Sequence, residues 1–480
     1  MYDVIVIGSG MGSLSAAALL VKEGLKPLII EQNWIPGGCT TSYWRKGYVF
    51  EAGATTLIGL DKGMPLRYLL DQTGIKLNLR KLDLPMQVHL ADGQTINKYQ
   101  NINQWKTEAT KHFGKGQDKF WDKAFRLSEF VWNASTRFQH FPPSGMKDIW
   151  ELAKYARPND LLNARYALKR TSEEINTLEL SDNHFQKYIN EQLLITAQNT
   201  AEEVNFLFGA AALCYTNYSN FYVDGGLINL VKPIVSYIEA HGGRIIYREA
   251  VENIKKVGDL FHISTKKSKF KSKMLVSGIP INNLEDISPE LIRSKTKQIL
   301  PSEKLVSAFQ MGIAFKSDQQ FESIHHQIHL EEPLAETGSK SIFISLNHEE
   351  DTTRSDVKGV RIASVSTHIH NPANTMINSE KLEKAIIQIL VQKRFIRSSE
   401  DILYAHSSGP KSWNKWTGRK YGFVGGYPQY FSTKPWNMVG SRLDTSGAYQ
   451  CGDSTYPGQG IPGVTLSGII AAKKLISDIL

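Results

Sequence analysis

The apolar run Val4-Ile5-Val6-Ile7 leads directly into Gly8-Ser9-Gly10-Met11-Gly12-Ser13, followed by a helical pattern and then Leu28-Ile29-Ile30-Glu31. A short unbroken apolar run bounded by glycine reads as a strand buried on both faces, as in a parallel sheet. The stretch predicts strand, glycine turn, helix and a second strand ending in a carboxylate. Asp224-Gly225-Gly226 opens another helix, with Leu227, Leu230, Val231 and Ile234 at helical spacing and Gly242-Gly243 as its stop. Short strands over 244–247, 251–257, 261–265 and 273–277 predict a meander returning to the first sheet. Residues 95 to 205 read as helical, rich in Trp, Phe and Lys, with a break at Phe141-Pro142-Pro143-Ser144-Gly145. After the break, Ile149, Leu152, Ala153 and Ala156 share one helical face, with Lys147, Lys154 and Arg157 around it. Pro158-Asn159-Asp160 starts a further basic helix holding Arg165, Lys169 and Arg170. Strands return between 290 and 400, most clearly over 304–312 and 359–366. Near the end, Tyr449 to Asp453 reads as a short strand, followed by a glycine-rich loop and a helix from about Pro462.

The chemistry of the first stretch follows from its geometry. Glycines allow the backbone to approach a pyrophosphate, and the helix N-terminus offers free N–H groups and a positive dipole end. Glu31 follows at about the 20-residue spacing at which a carboxylate accepts hydrogen bonds from a ribose. Ser13 stands where the third motif residue is usually Gly or Ala, a position that serves close helix–strand packing. Gly452-Asp453 presents a second carboxylate suited to sugar or ribityl hydroxyls. One dinucleotide motif at one end with Gly-Asp at the other favours non-covalent FAD over NAD. The expected fold is α/β: a Rossmann-type FAD-binding domain interleaved with an α+β substrate domain. The predicted boundaries are 1–95, 205–285 and 405–480 for the discontinuous FAD domain. Segments 96–204 and 286–404 then form the substrate domain, with a helical, membrane-facing lid.

Composition narrows the setting. The chain has 480 residues, 41% of them hydrophobic, and carries a net charge of +9. Lys and Arg are interleaved with acids and no nucleic-acid module is present, so no nucleic-acid partner is expected. Attraction to an anionic lipid surface accounts better for the charge. No apolar run approaches the roughly 18 residues of a membrane span. The first strand begins so early that no signal or transit peptide is expected. The predicted location is cytoplasmic, peripheral on the cytoplasmic membrane. Cys39, Cys214 and Cys451 show neither disulfide nor metal spacing, and Cys451 reads as a small buried residue rather than a covalent flavin anchor. His325-His326-Gln327-Ile328-His329 lies on a strand, where neighbouring side chains point to opposite faces, so no metal site is expected.

Several blocks across most of the chain resemble one known family. They are Val6-Ile7-Gly8-Ser9-Gly10; Glu31 with Pro36-Gly37-Gly38-Cys39; Gly47 to Ala54; Asp224-Gly225-Gly226; Gly422 to Pro428; and Gly452-Asp453-Ser454 through Gly468. Together they resemble the carotenoid desaturase, carotenoid isomerase and retinol saturase group of FAD-dependent oxidoreductases, which implies a Rossmann-type FAD domain of the amine-oxidase or glutathione-reductase kind. That resemblance implies that Gly8, Gly10 and Ser13 meet the pyrophosphate and Glu31 the adenosine ribose. It places Gly37 and Gly38 near the phosphates, Val251 at the adenine, Asp453 on the ribityl chain, and Gly463 and Val464 by the flavin ring. Two departures stand out: Cys39 occupies a place that is Arg in related amine oxidases and many desaturases, and Glu51 replaces a more usual Asp.

The reaction implied is desaturation of a carotenoid-like polyene, with hydride passing from an allylic carbon to flavin. Cis–trans isomerisation or polyene saturation with reduced FAD would use the same site. A flavin-free prenyl-lipid escort is the reading from a different class; the intact glycine turn, Glu31 and Gly452-Asp453 argue against it. Trp105, Trp121, Trp132 and Trp150 are candidates for lining a hydrophobic tunnel. The catalytic base is unidentified, and the electron acceptor is open between oxygen and a quinone.

Overall fold

The computed structural model describes residues 2–180 and 182–479. Its first sheet is built as the apolar pattern predicts. Tyr2–Ile7 lies between the parallel strands Pro27–Ile30 and Lys269–Ser277, and Arg244–Ile246 extends the sheet beyond Pro27–Ile30. Val4 to Ile7 and Leu28 to Ile30 are buried on both faces, which is why these strands read as continuous apolar runs. Val251–Val257, Leu260–Thr265 and Lys269–Ser277 form the antiparallel meander. Ala448–Gln450 pairs in parallel with the far end of Lys269–Ser277, bringing the C-terminal segment into this sheet.

The helices Met11–Lys22 and Gly460–Ile479 pack closely because both present glycine at their contact. A Cβ on Gly468 would lie 2.2 Å from the Gly12 carbonyl oxygen, and one on Gly12 would lie 3.0 Å from the Gly452 nitrogen. Chain segments far apart in sequence thereby form one wall.

The second sheet runs Ile402–Ser408, Val306–Lys316, Val360–His370, Ser341–Leu346, His325–His329, Met86–His89, Thr95–Lys98. Neighbours are antiparallel except His325–His329 with Met86–His89. This corrects the boundary drawn at residue 95: the hairpin 86–98 belongs to the substrate sheet. Its alternating pattern shows a half-buried strand but not which sheet will pair with it, and the partner comes from a remote segment. The strand Ile402–Ser408 likewise spans the boundary drawn at 405.

Helices Ile102–Phe113, Gln117–Arg137 and Asn183–Ala197 pack over the second sheet around Trp105, Phe120, Trp121, Phe185 and Tyr188. The first of these helices starts where Asn101 accepts hydrogen bonds from the Asn103 and Gln104 backbone N–H groups. Lys98 is fully buried here, with Nζ 3.9 Å from the Trp105 ring centroid. Burial lowers its pKa to about 7. Trp105 and Trp121 are therefore core residues rather than tunnel lining.

Candidate cofactor and substrate site

The glycine turn forms the floor of the site. Gly8 takes φ +82°, and its N–H donates to the Ile30 carbonyl at 2.8 Å, which turns the chain out of the sheet. The first helical bond runs from the Leu14 N–H to the Gly10 carbonyl, so the preceding N–H groups of the helix have no intrahelical acceptor. Gly10 bridges to Gly37, and the Gly37 N–H donates to the Ser9 carbonyl at 2.9 Å. A Cβ built on Gly10 meets nothing within 4 Å, so the floor is open above it.

Glu31 is held rather than loose. Its Oε2 accepts from the Ser9 N–H and hydroxyl, each at 2.7 Å, and its Oε1 accepts from the Asn33 N–H at 2.8 Å. Asp453 sits across the site with its Oδ2 2.7 Å from Arg419 Nη2. Arg419 was not anticipated, since a lone arginine after Thr417-Gly418 carries no periodic signal. Burial pushes the Cys39 thiol upward, while the neighbouring Arg419 guanidinium pulls the other way.

One cavity of about 1450 Å³ joins these groups. Gly8, Gly10, Glu31, Gly37, Gly38, Val251, Asp453, Gly463 and Val464 all line it. Ser13 also reaches its edge, but the side chain is buried, with Oγ directed back at the Ile7 carbonyl 3.4 Å away. Its hydroxyl thus serves helix–strand packing, so the side chain is not free to bind a pyrophosphate. Cys451 is fully buried and does not line the cavity, in keeping with a packing role.

The cavity continues away from the glycines over the second sheet. Gln310, Ser366 and His368 line it from adjacent paired strands. Gln310 is fixed by donating to the Glu51 carbonyl at 2.8 Å. Glu51 itself is buried in an ion pair with Arg354 at 2.6 Å. His368 was also missed from sequence. Its Nδ1 is buried without a hydrogen-bond partner, and burial lowers the ring's pKa to about 4.

The far end opens among the helices after the proline break. Ile149, Leu152, Ala153, Ala156 and Leu161 line the cavity from Met146–Ala153, Pro158–Ala164 and the turn between them. Around them Met146 is 67% exposed, Trp150 68% and Leu161 80%. Trp132 lines the passage, whereas Trp150 stands on the outer surface. The expected second basic helix is shorter than its charge pattern implied. It ends at Ala164; Lys169 pairs with Glu174 at 2.7 Å, and Arg170 stacks on Phe431. Those two charges are held within the protein.

Over residues 14–476 the sequence matches the family described as flavin containing amine oxidoreductase. The chain belongs to that family. It is an FAD-dependent oxidoreductase, and its folding around Gly10, Glu31 and Gly463 accords with that cofactor. A chloroplastic prolycopene isomerase of Daucus carota is 24% identical across the whole chain and 80% of its own length. An all-trans-retinol 13,14-reductase of Danio rerio is 28% identical over 52% of this chain and 42% of its own. Among solved structures, a putrescine oxidase double mutant superposes with a TM-score of 0.66 at 17% identity, covering 99% of each chain. That likeness speaks for the fold, and the flavin amine oxidoreductase fold is the one predicted from the sequence.

The residues fit FAD on the structure's own terms. Gly10 leaves open space where a diphosphate must approach the backbone, and Glu31 is oriented beside it. Arg419 Nη1 is buried with no hydrogen-bond partner.

Proposed function

We propose that this protein acts on a long carotenoid-like polyene, drawing it from a membrane surface into the cavity and removing hydrogen from an allylic carbon. The observation that carries this reading is the continuity of one cavity from the nucleotide floor to the exposed apolar helices. Its volume of about 1450 Å³ exceeds the roughly 300–1,000 Å³ of a cleft for one drug-sized ligand, leaving room for a dinucleotide and an extended chain. Transfer of such a chain from water gains roughly 0.8 kcal/mol per buried CH₂, so an apolar mouth suits a substrate already dissolved in lipid. Peripheral attachment on the cytoplasmic membrane through Met146, Trp150 and Leu161 belongs to this proposal. Oxygen or a quinone would then serve as final electron acceptor.

Bound FAD supplies a two-electron acceptor for the hydrogen that leaves with its electron pair. The protein's own work is alignment, dryness and proton handling. Phe343, Leu207 and Phe208 line the passage and exclude water, and Gln310 is fixed by the Glu51 carbonyl. His368 is uncharged at neutral pH and lines the passage, so its imidazole is the candidate to take the proton lost from the carbon next to the one that was oxidised. A second reading, cis–trans isomerisation with reduced FAD, is favoured by the full-length similarity to a prolycopene isomerase.

The test is flavin absorbance of the protein in liposomes, without oxygen, as linear carotenoids are added. Bleaching of the oxidised band together with a lengthened chromophore in the product is the result expected. No bleaching, but isomerised product after prior reduction of the flavin, would transfer the assignment to the isomerase.

A further inference from the structure

We infer that Arg419, clamped by Asp453, is the counter-charge for the FAD diphosphate, and that it supplies an ionic contact the glycine loops do not. This inference rests on FAD as the cofactor and leaves the identity of the polyene open.

Charge balance around the cavity leads to it. Among the described residues lining the cavity, Glu31, Glu249, Asp286 and Asp453 bring carboxylates to the nucleotide half. Two basic side chains line the cavity, Arg157 and Arg419, and Arg157 belongs to the distant mouth as the N-cap of Pro158–Ala164. A diphosphate diester carries two negative charges. The helix at Met11 offers about half an elementary charge through its dipole. The loop Gly37-Gly38-Cys39 adds no cation. An anion taken out of water among carboxylates needs a paired, hydrogen-bonded partner.

Arg419 is built to be that partner. The helix Pro410–Thr417 ends at Gly418 with φ +69°, a left-handed cap that fixes where residue 419 leaves. The Arg419 carbonyl accepts from Asn414 Nδ2 at 2.6 Å, pinning the backbone. Its guanidinium lies 5.3 Å from the Phe423 ring centroid and donates through Nη2 to Asp453 at 2.7 Å. Nη1 is buried and without a partner. Burial opposes the guanidinium charge, yet Asp453 more than restores it, so the group stays cationic. A fixed cation beside the loop that carries Gly38 and Cys39, with Nη2 held by Asp453, leaves Nη1 to make a single charge-assisted hydrogen bond to a phosphate oxygen. Asp453 then acts as a positioning residue for Arg419 through Oδ2.

The experiment is titration of flavin-free protein with FAD, followed by flavin fluorescence, alongside the unfolding midpoint of the same flavin-free samples. Arg419→Met strands Asp453, so its unfolding midpoint should fall, and the protein that remains folded should bind FAD about 10- to 100-fold more weakly. Arg419→Lys keeps the charge but loses the fork, and should recover part of the affinity. FAD affinity of Arg419→Met within threefold of the unchanged protein would overturn the assignment. If Arg419→Met does not fold, Arg419→Lys decides alone: a clear weakening at unchanged midpoint supports the contact, and full affinity refutes it. Failure of the unchanged protein to bind FAD at all would instead overturn the cofactor reading on which this rests.

Discussion

Lys474 and Asp148 meet at 3.2 Å with neither side chain reached by solvent. The pair ties the C-terminal helix of the cofactor domain to the first helix after the proline break, at the cavity mouth. Asp148 also accepts from His140 at 3.0 Å, from the Ser144 N–H at 2.9 Å and from Arg442 at 2.5 Å. Burial would raise the Asp148 carboxyl, but these donors and the Lys474 charge outweigh it and hold it well below the usual carboxylate range.

Asp148→Ala should therefore destabilise the protein by about 3–5 kcal/mol, because it strands buried cations. The pH dependence follows from the depressed folded-state pKa. The stabilisation is complete above the unfolded carboxyl value of about 4 and is lost as pH falls further. Denaturant unfolding at neutral and acidic pH checks both: the variant should differ strongly at pH 7 and progressively less in acid.

Two glycines of the same turn should fail in different ways. Gly10→Val adds atoms to open space, so flavin-free protein should keep its stability to within about 0.5 kcal/mol while losing most of its flavin. Gly468→Ala forces a Cβ against the Gly12 carbonyl and should cost about 1–3 kcal/mol by pushing the two helices apart. Thermal unfolding combined with flavin content of the purified variants separates the two effects. Loss of stability in Gly10→Val would contradict the open floor.

Much of this architecture was legible because its signals are local. Gly8, Gly10 and Glu31 declare themselves by spacing, and the meander 251–277 by short strands and turns. Gly452-Asp453 was found because glycine and carboxylate sit together. Arg419 was not, since its meaning comes from Asp453 and Phe423 reaching it across the fold. His368 was hidden for the same reason: on a strand it looks like any alternating residue until Gln310 and Ser366 line the cavity beside it. The boundary drawn at 95 cuts through the hairpin 86–98 because register with His325–His329 is a long-range fact. Lys169 and Arg170 looked like surface charge until Glu174 and Phe431 engaged them.

His368 gives a kinetic prediction. With a ring pKa lowered to about 4, the base is free at neutral pH and becomes occupied only in acid. Turnover in the dehydrogenating direction should be flat through neutrality and fall as pH drops through about 4. His368→Gln should lower turnover by about 10²- to 10⁴-fold while leaving flavin content unchanged. An unaltered pH profile in that variant would remove His368 from the mechanism.

The mouth can be tested without turnover. Replacing Met146, Trp150 and Leu161 together by Ser removes exposed apolar surface without touching the cofactor floor. Co-sedimentation with liposomes should drop severalfold, and flavin content should stay constant. Neutralising Lys169 and Arg170 should have little effect on sedimentation, since both are engaged by partners within the protein.

The glycine contact between Met11–Lys22 and Gly460–Ile479 also sets a timetable. The ribosome makes the nucleotide floor hundreds of residues before the helix that closes against it. Until Gly468 can settle on Gly12, one wall of the cofactor site does not exist, and the early strands wait with their apolar faces uncovered. FAD should therefore load only after residues 460–479 have emerged. A nascent chain stalled before residue 460 should retain no flavin and should depend on chaperones, which shield such faces until that helix emerges.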